Sequence, residues 1–146
     1  MSNQQPEFLG LYLFVKDLPE TLKFYKLLGF EIEEVSDFFA RATWSNGISL
    51  EFGTAELTES YDPRWKPPGL PSTNTINFQL TSREAVDATY DKMVAAGFAG
   101  HLAPCDPLWQ TRFAIILDPN GNFVGIHSPR DRDANRQGET GNAYEV

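Results

Sequence analysis

The stretch FAIILDPNGNFVGI, residues 113–126, decides the fold. Two apolar, strand-favouring runs flank a turn at residues 118–121, so the segment reads as a β-hairpin. Gly121 is expected at positive φ, with Asp118 and Asn120 bonding the local backbone. An earlier segment, ATWSNGISLEF at residues 42–52, has the same layout with Asn46 and Gly47 in its turn. The hairpin therefore occurs twice. Laying Gly47 on Gly121 without gaps places Glu51 on Gly125.

Outward from the hairpins, each is preceded by a strand, a helix and another strand. Residues 8–16, FLGLYLFVK, are rich in aromatic and β-branched side chains and read as a strand. Asp17 then stands as a helix N-cap, with Glu20 as its capping-box partner and Pro19 tolerated in the first turn. Leu18, Leu22, Tyr25 and Leu28 keep helical spacing, and Gly29 suits the left-handed position past the helix end. Residues 30–35 alternate in the strand period, and 38–44 with 48–52 complete the first hairpin. In the second half, residues 75–81 read as a strand. Ser82 caps a helix with apolar positions Val86, Tyr90, Met93 and Val94 that ends at Gly97, and residues 98–103 form a weak strand.

The expected organisation is α+β: a β-α-β-β-β module at residues 8–52, a Pro-rich connector at 53–74, a second such module at 75–128, and a polar tail at 129–146. Trp65 and Leu70 are the expected anchors of the connector, whose length suits a crossing between halves or a cover over a pocket. Each module is too small to bury its own sheet face, so the two complete one core or pair with a partner subunit.

With 146 residues and 41% hydrophobic content the chain can bury a sizeable core. Residues 1–7 carry no basic segment, and the longest mainly apolar run, residues 8–15, falls far short of the roughly 18 residues of a membrane span. A cytoplasmic protein is expected. The one cysteine, Cys105, allows no internal disulfide. Positions 31–62 hold eight carboxylates against Arg41 alone, nearly the whole net charge of −8. Such a field disfavours nucleic acid and anionic membranes and favours cationic ligands, although solvated acidic faces that keep the chain soluble are the simpler account.

The segments FVKDLPETLKFYKLLGF and RFAIILDPNGNFVGI, set in two β-α-β-β-β units, resemble the vicinal oxygen chelate superfamily. This is the group of glyoxalase I, extradiol dioxygenases, fosfomycin resistance enzymes and bleomycin resistance proteins. The resemblance spans about residues 8–128 and rests on a D-L-x-x-(S/T)-x-x-F-Y-x-x-x-L-G-F motif and a D-P-x-G-N motif. It implies two cupped half-barrel sheets with helices outside, commonly a homodimer, and a ligand in the cup. Antibiotic resistance is among the roles of such proteins.

Metal-dependent members hold one divalent ion with up to four side chains. Those positions fall here on Gly10, Glu51, Thr75 and Gly125, of which only Glu51 is a good ligand. The strand neighbours Leu9, Leu11, Asn74 and Ile76 offer no replacement. His127, two positions past Gly125 on the same side of its strand, is the candidate displaced ligand, and His101 is a weaker one. Glu51 is also the candidate general base. Cys105, followed by Asp106 and with no histidine beside it, reads as structural.

The segment 107–112 resembles the W-G-x-R stretch that lines the cup in bleomycin-resistance-like members, with Gln110 in place of the glycine. Trp109 and Arg112 are therefore candidate ligand-binding residues, one as a stacking plane and the other as a bidentate donor. The competing reading has Trp109 covering the core and Arg112 pairing with an acidic neighbour. Trp44, Tyr12, Phe14, Phe39 and Phe52 could line the same cup or pack as plain core.

The resemblance thus implies a metal-free protein that sequesters a planar or cationic small molecule in an aromatic, acidic cup, with no cofactor. The alternatives are a metal-dependent lyase, isomerase or dioxygenase built on Glu51 and His127, and a non-metal enzyme using Glu51 as base with Arg112 holding a carbonyl substrate. Whether the chain is an enzyme stays open at this point.

Overall fold

The computed structural model describes residues 5–67 and 74–131. The chain divides into two compact units, Met1–Pro68 and Gly69–Val146. Both are built on the same β-α-β-β-β plan. Leu70 and residues 132–146 of the expected tail lie outside the described residues.

In the first unit, β1 (Gly10–Val15) leads to α1 (Leu18–Leu28), then β2 (Glu33–Ser36), β3 (Phe39–Thr43) and β4 (Ser49–Thr54). The sheet order is β1-β4-β3-β2, with β1 parallel to β4 and the other pairs antiparallel. Helix α1 begins as its sequence requires: Asp17 Oδ1 accepts from the Glu20 N–H at 3.0 Å. Its Leu22, Phe24 and Tyr25 meet the sheet face that carries Ala40, Ala42, Leu50 and Phe52, all buried.

Two expectations change here. The strand expected over residues 30–35 starts only at Glu33, because Phe30 instead packs its ring on Tyr25 at 5.7 Å and on Trp44 at 5.8 Å. Residues 53–74, expected as a connector, include a helix: α2 (Ala55–Tyr61) follows β4 directly, capped by Thr54, whose side-chain oxygen accepts from the Leu57 N–H. The Thr58 hydroxyl donates to the Thr54 carbonyl at 3.0 Å and is buried, which ties this short helix to the sheet edge. Trp65 anchors the chain after it by packing on Phe14 at 5.2 Å.

In the second unit, β5 (Thr75–Gln79), α3 (Arg83–Ala95), β6 (Ala99–Cys105), β7 (Phe113–Leu117) and β8 (Phe123–His127) repeat the plan in the order β5-β8-β7-β6. Val86 and Met93 of α3 are buried, as are Ala114, Ile116, Val124 and Ile126 of the sheet. Val94, another apolar position of this helix, is exposed. The decisive hairpin is β7–β8. Gly121 has φ +84, and Asp118 Oδ1 accepts from the N–H groups of Asn120 and Asn122, both at 2.9 Å. The Asn122 side chain also donates to Asp118 Oδ2 at 2.9 Å. No helix among the described residues is long and apolar enough to cross a membrane.

Candidate ligand site

Strand alternation sends every second residue away from α1 and α3, so each unit has a second sheet face, met in the first unit by Thr58 and Tyr61 of α2. The pairings Tyr12 with Glu51 and Asn77 with Gly125 make Tyr12 and Asn77 equivalent, as are Gly53 and His127, and Phe39 and Phe113. The two faces differ at these positions.

In the first unit the face is filled with rings. Tyr12 lies over Gly53, where a Cβ would stand only 1.7 Å from the Tyr12 hydroxyl. That hydroxyl bonds Thr58 Oγ1 at 3.1 Å. Around Tyr12 pack Phe14 at 5.6 Å, Phe39 at 6.5 Å and Tyr61 at 6.4 Å. Burial pushes the Tyr12 phenol above its ordinary range, with Tyr61 and the Glu51 carboxylate acting in the same direction against the Thr58 bond. Tyr12, Phe14 and Phe39 thus form one aromatic layer, and Glu51 lies on that face opposite Arg41 in the ladder. Trp44 and Phe52 belong to the other face, through Phe30 and through Tyr25 at 4.8 Å.

In the second unit the corresponding face opens into a cleft of about 720 Å³. Its floor includes Thr75, Asn77 and His127; its wall includes Trp109, Thr111 and Phe113. Asn77 Oδ1 and His127 Nε2 are 2.9 Å apart, and His127 lies against the Phe113 ring at 4.4 Å. Burial pushes the His127 imidazole below its ordinary value, favouring the neutral ring. A carbonyl oxygen beside Nε2 places the proton there and leaves Nδ1 as an acceptor.

Trp109 reaches this wall on a constrained loop. Its ring meets Phe113 edge-on at 5.4 Å. The next residue, Gln110, has φ +68, the one non-glycine residue at positive φ among those described. Backbone bonds from Gln110 N to Pro107 O, Ser128 N to Arg112 O and Asp131 N to Gln110 O pin the loop to the segment after β8. Arg112 donates from Nε to Asp87 Oδ1 at 2.8 Å and from Nη1 to Asp106 Oδ2 at 3.2 Å. Arg83 pairs with Asp106 and with Asp131. The Arg83 bond, more than Arg112, holds the Asp106 carboxyl below its usual range. Arg112 is thereby engaged by α3 and residue 106, not among the cleft-lining side chains. Replacing Gln110 by Gly should stabilise the chain by about 0.5–1 kcal/mol, since glycine adopts left-handed backbone without the side-chain clash and gives back part of the gain as unfolded-state entropy. Urea unfolding would read it; a loss of stability would show the loop to be held otherwise.

The cleft gathers residues that the sequence does not single out: Asn77, Thr111, Phe113 and Arg130. A polar Asn77 amid TINFQ, on the same face as Thr75 and Gln79, is the available signal. His101 is remote in role, stacking on Phe123 at 4.7 Å. Cys105 is a free thiol at the end of β6. Among the described residues, the cleft lining includes no carboxylate and one Lys or Arg side chain, Arg130.

The four positions assigned to a metal by resemblance do not fit one. At Gly10 any Cβ would lie 1.8 Å from the Ser49 carbonyl oxygen, and at Gly125 it would lie 2.3 Å from Asn77 Oδ1. At Gly10 the atoms met are backbone and leave no room for a side chain, whereas at Gly125 a side chain requires the Asn77 amide to move. Thr75 brings a neutral hydroxyl, leaving Glu51 as the sole carboxylate of the four. Among the described residues no three His, Cys, Asp or Glu side chains are grouped to hold an ion.

The model of the Glyoxalase/Bleomycin resistance protein/Dioxygenase superfamily matches residues 8–126. No curated protein matches the chain. Among solved structures, a glyoxalase/bleomycin resistance protein/dioxygenase family enzyme from Burkholderia phytofirmans is 24% identical, with a TM-score of 0.72 over 82% of this chain and 96% of that one. A glyoxalase/bleomycin resistance protein/dioxygenase from Nocardioides is 22% identical, with a TM-score of 0.70 over 90% and 88%. A lactoylglutathione lyase from Agrobacterium tumefaciens is 16% identical, with a TM-score of 0.64 over 87% and 96%. These likenesses establish a shared fold.

Proposed function

The chain belongs to the glyoxalase/bleomycin resistance protein/dioxygenase superfamily, and from that premise we propose that it is a metal-free small-molecule binding protein of the bleomycin-resistance type, holding a planar ligand in the cleft of its second unit. One observation carries this reading: at equivalent positions Tyr12 covers Gly53 in one sheet, whereas Asn77 and His127 leave an aromatic-walled cleft in the other. Such a cleft, mostly apolar with a few convergent polar groups, is the usual form of a small-molecule site. A cationic ligand, expected from the charge balance, draws no support from the cleft lining. A homodimer rests on the resemblance alone, and a cytoplasmic setting on the sequence expectation of a chain with no membrane span.

Sequestration forms and breaks no bond, so the poor donor set at Gly10, Glu51, Thr75 and Gly125 does not weigh against it. The metal-dependent lyase, isomerase or dioxygenase reading requires donors that these positions do not supply. Protein purified without chelator should contain no stoichiometric zinc, iron, nickel or manganese by elemental analysis. Planar aromatic compounds should quench its tryptophan fluorescence with dissociation constants of about 1–100 μM. A Trp109→Ala chain should bind them about tenfold or more weakly. About one metal per chain, or affinity untouched by that substitution, would overturn the proposal.

A further inference from the structure

We propose that the cleft of the second unit selects a planar ring bearing an acceptor oxygen, a carboxylate or a carbonyl, which accepts from Trp109 Nε1 and Thr111 Oγ1. This rests on the binding reading above and specifies the chemistry of its ligand. Both side chains line the cleft. Trp109 Nε1 and Thr111 Oγ1 are buried, and neither has a hydrogen-bond partner among the described residues. Thr111 is only 8% exposed. A buried donor left unmatched costs about 1–3 kcal/mol, and an indole N–H can only donate. Gln110 Oε1, buried and unmatched between them in sequence, belongs to a residue outside the cleft lining, so the two lining groups are matched by an acceptor brought in from outside.

The loop cannot turn them elsewhere at low cost. Arg112 is held by Asp87 and Asp106, and three backbone bonds close the loop 107–112 on itself and onto residues 128–131 around a left-handed Gln110. Local strain kept by surrounding contacts is typical of preorganised binding sites. The Trp109 and Phe113 rings supply flat apolar surface beside these donors. No carboxylate is among the described residues that line the cleft, so an ammonium would find no counter-charge there.

The test uses four probes of one ring size: naphthalene, naphthoate, acetonaphthone and naphthylmethylammonium. Binding is read on the full chain by the Trp109 indole N–H resonance, assigned with Trp109→Phe. Naphthoate, acetonaphthone or both should bind about tenfold or more tightly than naphthalene and the ammonium, and should displace that resonance. Which of the two is tighter distinguishes carboxylate from carbonyl. Thr111→Val, close in shape, should remove most of the advantage of the oxygen probes and leave naphthalene unchanged. If that chain misfolds, the resonance shift in the parent still decides. Naphthalene or the ammonium binding at Trp109 as tightly as the oxygen probes would overturn this inference and leave the binding reading standing. No binding by any probe up to about 1 mM would overturn both.

Discussion

A Gly10→Ala chain should lose about 3–5 kcal/mol of stability, the combined scale of forced overpacking and of a non-glycine residue in a glycine-only backbone region. Its melting temperature should fall by about 10 °C or more. Gly10 opens β1 at φ +143 and pairs with Ser49. The Cβ of alanine would lie 1.8 Å from the Ser49 carbonyl oxygen, 2.9 Å from its carbonyl carbon and 3.0 Å from its nitrogen. These are backbone atoms of the neighbouring strand, tied in place where Ser49 N donates to Leu9 O at 3.0 Å. No side-chain rotation relieves the contact; the start of β1 must move off β4. Thermal unfolding followed by circular dichroism would measure the loss. An unchanged melting temperature would show that β1 and β4 do not approach as described. The same contact bears on function, because a histidine placed here to restore the family's metal ligand should destabilise the sheet before it can coordinate anything.

Phe52→Ala should cost about 3–5 kcal/mol, the range for removing a fully buried aromatic side chain. Phe52 has no exposed surface and packs on Tyr25 at 4.8 Å, with Tyr25 and Phe24 themselves fully buried. Its ladder partner is Ala40, a side chain too small to fill the space left behind. Against a total stability of about 5–15 kcal/mol such a loss leaves the fold near its limit. Urea unfolding should show a lower midpoint with little change in slope. A loss under about 1 kcal/mol would place Phe52 outside the core. The experiment also separates two roles the sequence leaves open for this residue, since a Phe52 that lined a ligand cup would change binding and spare stability.

The hairpin at residues 113–126, the capped start of α1 and the doubling of the β-α-β-β-β plan were legible from sequence, because each is set by residues a few positions apart. Asp17 caps Glu20, and Asp118 bonds Asn120 within one turn. Helix α2 was not, since Ala55–Tyr61 carries no apolar stripe and is followed closely by prolines, and its anchoring through Thr58 depends on the sheet it meets. The candidate site was legible in part: Trp109 lines the cleft, while Arg112, its neighbour in the same motif, does not.

By itself the sequence determined the two β-α-β-β-β repeats, the order of their elements, the family, and the weakness of the donor set at Gly10, Thr75 and Gly125. Only the tertiary structure decided which sheet face is closed by Tyr12 over Gly53, which one Asn77 and His127 leave open, and that Arg112 is held by Asp87. The physical reason is distance along the chain. Alternation tells which residues share a face, but what fills that face comes from partners such as Asn77 and His127, 50 positions apart, brought together only by sheet register and packing.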